Sequence, residues 1–392
     1  MIPLMKSAFL HEKETKEELA QFIINSDKLS MGDKCAEFED EFAKYQGCKD
    51  AVLFNSGGSA NLAMIQALKN FGLLQDRDKV GFSALTWSTN VMPIIQLGMI
   101  PVPVDVSVST LNCMSEDILE CIKNERIQAM FLTNALGFCG DLPEIKKVCD
   151  EENVILIEDN CEALGTEIGG NKTGTFGLCS SHSFFVAHHL STVEGGMVCT
   201  NQPEFGHMLR IVRANGWDRN LSQPIQEHLR NTHGIKSEFD AKYTFYDLGY
   251  NLRPTEITGF LGLSQLKHLK ENVDRREKIY LELETSCCNN FFMTPMNHDH
   301  ITKLSAFSFP VIMNNAMTRD LQMQKFVDAG VEIRPVIAGD IQKQPFYKKY
   351  VHTKYSLPNA ERIDKCGFYC GAYPELDEND LTVIKECLRQ CE

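Results

Sequence analysis

The 392 residues are 43% hydrophobic and 23% charged, ordinary values for a globular protein and enough for a sizeable core. A formal net charge of -14 excludes a general nucleic-acid binder, because the phosphate backbone rewards an excess of Lys and Arg; an anionic ligand must find local cations or helix N-termini instead. The opening MIPLMKSAFLHEKETKEE lacks an apolar h-region with a cleavage site, and no window approaches a membrane span, so a cytoplasmic protein with no membrane partner is expected.

In chain order, short apolar runs predict strands at 51–55 (AVLFN), 79–84, 101–105, 129–134, 154–159 (VILIED), 181–186 (SHSFFV) and 196–201. Helical patterns such as SANLAMIQALKNF and LPEIKKVCDEE lie between them. This alternation predicts an α/β fold with a mostly parallel seven-stranded sheet covered by helices on both faces. A long helical stretch from 254 to 284 then leads into a smaller α+β region, with a strand at 306–313, the helix TRDLQMQKFVDAG and the segment VEIRPV. The expected division is 1–254 for the large domain and 255–392 for the linking helix and the smaller domain.

Ligands of such sheets bind at the carboxyl ends of strands, and the polar clusters fall there. AVLFN is followed by Asn55-Ser56-Gly57-Gly58-Ser59-Ala60-Asn61, in which a tight turn and the free amides of a helix start can cradle a phosphate, or simply make a turn. Asp159 ends its strand and can bind a metal, cap a helix or pair with a cationic ring nitrogen. Trp87 follows another strand and suits either stacking on a flat ring or the core. Ser183 can add a phosphate bond. The run SFFVAHHLSTVEGG then brings two adjacent histidines, His188 and His189, before Glu194-Gly195-Gly196. Neighbours in an extended segment point opposite ways, which argues against a metal held by this pair.

The fifteen cysteines, without an export signal, read as reduced thiols rather than a disulfide framework. The CxxxC pairs Cys366/Cys370 and Cys387/Cys391 invite a metal reading, but the second lies in an amphipathic helix pattern in which i and i+4 simply share a face. No metal is expected.

In this order and spacing the features resemble the fold type I pyridoxal phosphate enzymes, and more narrowly the DegT/DnrJ/EryC1/StrS sugar aminotransferase family. The resemblance rests on MGDKCAEFEDEFAKYQGCKDAVLFNSGGSAN, LIEDNCEALGT, FFVAHHLSTVEGGM, RANGWDRNL and GYNLRPTEITGFLGLSQL. It implies that Gly58 and Ser59, with Ser183, hold the phosphate of pyridoxal 5'-phosphate or its pyridoxamine form. It further implies that Trp87 lies against the ring, Asp159 pairs with the ring nitrogen and Glu162 sits near the phenolic oxygen. Asn251, in GYNLRP, matches a residue lent to the neighbouring subunit's phosphate, so a homodimer with shared active sites is implied. Arg219 matches an arginine available for sugar or glutamate contacts, and Asn215 and Ala187 stand where a dehydratase of the family has His and Ser.

The departure is a lysine. Family aminotransferases carry it in a motif like SFYPTKNLGTGEGG, and counting back from Glu194 places His188 at its position; no lysine occurs between Lys172 and Lys236. Imidazole makes no stable covalent anchor for the cofactor, yet its proton affinity near neutrality suits it to move protons. The HH-x4-EGG signature is similar to the family's 3-dehydratase branch. That branch implies 3-deoxygenation of a nucleotide-linked 4-keto-6-deoxy sugar, with L-glutamate as amino donor and release of 2-oxoglutarate and ammonia, in deoxysugar and O-antigen lipopolysaccharide biosynthesis. A sister branch carries an iron-sulfur cluster on a closely spaced cysteine set, whereas only Cys287 and Cys288 lie between Cys199 and Cys366 here. The competing readings are a nucleotide-sugar aminotransferase that uses histidine for lysine, and a non-catalytic cofactor-binding protein.

Overall fold

The computed structural model describes residues 1–389. Strands β1 (Asp50–Phe54), β2 (Lys79–Ser83), β3 (Ile100–Val104), β4 (Ala129–Thr133) and β5 (Ile155–Asp159) are followed by a small ribbon, β6 (Glu167–Ile168) and β7 (Asn171–Lys172). Then come β8 (Cys179–Ser183) and β9 (Gly196–Thr200). All but the ribbon form one seven-stranded sheet of order β1-β9-β8-β5-β4-β2-β3. Pairing is parallel from β8 through β3, and β9 runs antiparallel to both β8 and β1.

The strands are buried on both faces, as continuous apolar runs require. In β1, Val52 and Phe54 join a core with Ala60, Met64 and Leu68 of helix Gly57–Asn70. Ala51 and Leu53 point the other way, into a core with Phe38 and Phe42 of helix Asp33–Gln46. That second helix is crossed by helix Glu256–Leu266 so closely that a Cβ on Gly262 would lie 2.3 Å from the Phe38 ring.

Two elements depart from the sequence reading. The strand expected at 181–186 is β8, Cys179–Ser183, a polar run (CSSHS) buried along its whole length. The apolar Phe184-Phe185-Val186 instead begins the turn that carries the histidines. Hydrogen bonding on both sides and the Ser180 Oγ–His182 Nε2 contact of 3.3 Å outweigh strand propensity here. The helical stretch expected from 254 to 284 is two helices, Glu256–Leu266 and Leu269–Cys287, broken at an elbow where the His268 amide bonds the Gln265 carbonyl, three residues back.

Beyond the second helix, β10 (Ser308–Ile312), β11 (Ile333–Arg334) and β12 (Gly367–Gly371) form an antiparallel sheet of order β10-β12-β11. Helices Ala316–Asp328, Pro358–Cys366 and Glu378–Leu388 accompany it. Cys366 closes a helix, Cys370 lies in β12 and Cys387 in the last helix, all buried; Cys391 lies outside the described residues. The chain start crosses to this second sheet: the Ile2 amide donates to Gly330 O, and the Glu332 amide to Ile2 O. One apolar core runs from Val102 and Val104 to Leu381 and Ile384. We propose a division near residue 254 into two units that share this core, with the first few residues seated on the second unit. No helix among the described residues is long and apolar enough to cross a membrane.

Candidate active site

The carboxyl ends of β1, β5 and β8 open into a cavity of about 420 Å³. Its wall is made by the Ser56–Gly58 turn, Trp87, Asp159, Glu162, Ser183 and His188, and is closed from the second unit by Phe307, Ile337 and Tyr369. Antiparallel β9 explains how the first wall is built. Gly196 pairs with Phe54 on one side and Ser183 on the other, and a Cβ there would sit 2.3 Å from Ser56 O and 2.7 Å from Gly57 N. The Glu-Gly-Gly motif thus supplies the flat backbone on which the β1 turn rests. Gly57 has the same constraint, since a Cβ would lie 2.7 Å from Ser183 Cβ. Ser56 caps helix Gly57–Asn70: its Oγ accepts from the Ser59 amide at 3.1 Å and donates to Ser59 Oγ at 3.0 Å. The amides of Gly57 and Gly58 begin the helix facing the cavity, with positive dipole and free donors.

Asp159 is fixed by three donors: Asn61 Nδ2 at 3.0 Å and Asn90 Nδ2 at 2.8 Å to one oxygen, and the Cys161 amide at 2.8 Å to the other. Its neighbour Glu158, facing the other side of the strand, accepts the amides of Gly174, Phe176 and Gly177 and holds that loop. Hydrogen bonds to charged groups contribute about 1.5–3 kcal/mol each, which makes this strand end rigid.

His188 Nδ1 lies 2.6 Å from the carbonyl oxygen of Cys161, which can only accept; Nδ1 therefore carries the proton and Nε2 keeps its lone pair. The ring packs against Phe307 at 5.2 Å and Phe185 at 6.3 Å. Burial pushes its pKa down to about 4, against the pull of the Cys161 carbonyl and the Asp159 charge, so the imidazole is neutral near pH 7. His189 points elsewhere: Nε2 donates to Ser305 O at 3.0 Å, and burial holds it well below its ordinary value. The two histidines sit in a turn rather than an extended segment, and their rings still diverge.

Glu162 accepts the Leu136 amide at 2.8 Å. Burial raises its carboxyl to about 7; the Leu136 amide opposes the rise and the Asp159 charge adds to it. Trp87 is 60% exposed at the cavity mouth, placed to cover something bound rather than to fill the core.

Four residues singled out from the sequence do not line the cavity of a single chain: Ser59 sits one residue beyond the lining turn, bonded to Ser56, and the other three belong to a different part of the chain. Asn251 is exposed, with Oδ1 accepting from Arg253 Nε at 3.0 Å. Arg219 stacks on Trp217, 4.1 Å from the ring centroid, and donates to Lys242 O. Asn215 has φ 59°, a left-handed conformation that asparagine tolerates well, and its amide bonds Tyr250 O. All three belong to one segment, 214–251, which also exposes Phe239, Tyr243, Phe245 and Leu248.

Residues 10–389 match the DegT/DnrJ/EryC1/StrS aminotransferase family. The chain belongs to this family. It is 34% identical to GDP-4-keto-6-deoxy-D-mannose 3-dehydratase of Yersinia pseudotuberculosis, over 94% of this chain and 93% of that protein. It is 32% identical to the protein of the same name from Escherichia coli, over 94% of this chain and 95% of that protein. Among solved structures, the E. coli GDP-4-keto-6-deoxy-D-mannose-3-dehydratase with bound hydrated PLP superposes with TM-score 0.91 at 30% identity, covering 99% of each chain.

For a member of the DegT/DnrJ/EryC1/StrS family, sequence reading left several contributors unassigned. Asn61 lay inside the quoted glycine-serine motif, but only the fold shows it reaching Asp159. Asn90 is a buried polar residue in the first turn of helix Ser88–Gln96, three residues beyond Trp87. Phe307 and Tyr369 come from far along the chain and gave no signal.

Two measurements test the geometry. Gly196→Ala should lose about 1–3 kcal/mol in urea unfolding from overpacking against Ser56 O and should bind the cofactor more weakly. Ionised Glu162 would repel an anionic phenolic oxygen, so affinity of the cofactor-free protein for pyridoxal phosphate should fall as pH rises through about 7. Fluorescence titration of Glu162→Gln should lose that step; a step of undiminished size would refute the assignment.

Proposed function

We propose that this chain is a pyridoxal phosphate-dependent 3-dehydratase that removes the C3 oxygen of a nucleotide-linked 4-keto-6-deoxyhexose. L-glutamate serves as amino donor, and 2-oxoglutarate and ammonia are released, in deoxysugar and lipopolysaccharide biosynthesis. One observation carries the reading: His188, with Nδ1 held by the Cys161 carbonyl and Nε2 left with its lone pair, lines the cavity at what the motif spacing makes the family lysine's place, and among the described residues no lysine lines that cavity. The relatives support it, since those at 34% and 32% identity bear the dehydratase name and one solved relative holds a trapped PLP-glutamate geminal diamine.

The residues fit the cofactor. The amides of Gly57 and Gly58, at a helix N-terminus that lines the cavity, would receive the phosphate, with Ser59 and Ser183 beside it, and Asp159 offers a fixed carboxylate to a ring nitrogen. When bound, the group supplies an electron sink conjugated to the amine it exchanges with substrate. Asp159 keeps the ring nitrogen protonated, Trp87 covers the mouth and Glu162 shares a proton with the phenolic oxygen. His188 Nε2 takes a proton at the reacting carbon and, as imidazolium, delivers one to the departing hydroxyl oxygen. A lysine there would form a covalent tether; imidazole leaves the proton task alone.

The segment 214–251 supports a homodimer in which Asn251 completes the neighbouring subunit's phosphate site, with Arg219 and Asn215 serving the sugar or glutamate. Ala187 lines the cavity, so this position and Asn215 are where substrate choice departs from the named relatives.

The protein should be incubated with pyridoxal phosphate, glutamate and GDP-, CDP- and UDP-linked 4-keto-6-deoxyhexoses. Mass spectrometry should show one sugar losing an oxygen without gaining nitrogen, and His188→Asn should bind the cofactor yet lose turnover by about 100-fold or more. An amino sugar as product would refute dehydration. Mixing unfolded and refolded His188→Asn with Asn251→Asp chains should regain part of the wild-type activity, because one composite site of each mixed dimer is intact; no recovery would refute shared sites.

A further inference from the structure

Away from the cavity, we propose that His11, His268 and Glu271 form a binding site for a divalent late transition metal of the zinc, cobalt or nickel type, which staples the N-terminal strap to the elbow between helices Glu256–Leu266 and Leu269–Cys287. One ligand atom from each of the three lies within 4.8 Å of the others. His11 Nε2 is 3.5 Å from Glu271 Oε2, and the two imidazole rings are 4.6 Å apart at 52°. Two imidazoles and a carboxylate are a donor set for borderline metals, with further positions left to water. Tetrahedral bonds of about 2.0–2.1 Å put ligand atoms roughly 3.4 Å from each other, so the side chains must close by about 1.5 Å at most, within the reach of a side-chain rotation.

The positions are held ready by groups that have no catalytic duty. Gln265, buried, grips both sides of Leu10, accepting from its amide at 3.0 Å and donating to its carbonyl at 3.3 Å, and also donates to Thr15 at 3.0 Å. His11 stands at the cap position of helix Glu12–Asn25 yet makes no side-chain cap bond; its ring is turned to His268. His268 has no hydrogen bond to its ring among the described residues, and the ring faces His11, so its nitrogens are open to a metal. Lys267, next to His268 in the chain, is paired with Glu18 at 3.7 Å. The carboxylates of Glu14 and Glu271 favour positive charge at His268.

The strap so fixed has a place in the molecule. Met5 and Ser7 to Leu10 line a second, small cavity together with Ala187, His188 and His189, Gln265 and Arg276. A metal at His11 would hold this strap against the back of the histidine turn.

Cobalt(II) titration of the chelator-treated holoprotein tests the site, read as the difference spectrum against a His11→Ala/His268→Ala double variant. Expected are one cobalt per chain, a visible ligand-field band without a thiolate charge-transfer band, and affinity at least about tenfold weaker for each single variant. Zinc should raise the melting temperature of the wild type and not of the double variant, each compared with its own metal-free value. Equal cobalt affinity in the double variant, a thiolate-type spectrum from the cysteines, or no binding at all would overturn the proposal.

Discussion

The bond from His188 Nδ1 to the Cys161 carbonyl organises the site, because the same residue's amide donates to Asp159. The group placed to move protons and the carboxylate placed to hold one are thus tied to a single residue at the end of β5. Asn61 and Asn90, from two different helices, fix the carboxylate from the other side. Displacing any of these shifts both functional groups together. Strand alternation gives the complement: Asp159 faces the cavity, and Glu158 turns away to anchor the loop behind it.

The sheet was legible because its strands are apolar on both faces, a pattern that survives without knowledge of the partners. β8 begins two residues and ends three residues before the expected strand, since its buried side chains are Cys, Ser and His, satisfied or tolerated only by neighbours the sequence does not show. The elbow at Lys267–His268 was invisible for a related reason, as neither residue is a helix breaker. Of the cavity lining, Gly58, Trp87, Asp159, Glu162, Ser183 and His188 were readable as a motif series near strand ends. Their supports were not: Asn61 and Asn90 look like ordinary helix residues until the fold brings them to Asp159. Asn215 shows a further limit, because its left-handed backbone gives it a turn-forming task that no side-chain motif records.

The second unit is part of the chemistry as well as the fold. Phe307 packs on His188 and closes the cavity, and its carbonyl is held by the buried Arg276, which also binds the carbonyls of Ala306 and Ala372. A single guanidinium therefore ties the entry to β10 and the exit of β12 to the long helix behind the site. Its positive charge also lowers the proton affinity of both histidines. Burial and a nearby cation act in the same direction at His188.

That direction bears on why elimination would prevail over amination in the proposed reaction. A depressed pKa makes neutral His188 a modest base, which suffices for a C–H group that the cofactor's electron sink makes more acidic. The same depression makes its protonated form a strong acid, unstable in a pocket that disfavours charge. An imidazolium formed there is driven to give the proton away, and a departing hydroxyl is the acceptor that most needs it. A lysine ammonium holds its proton more firmly and can bind the cofactor covalently once the product leaves. Replacing it by a buried imidazole removes the tether and strengthens the acid in one substitution, so the outcome is set by the environment of Nε2 as much as by the identity of the side chain.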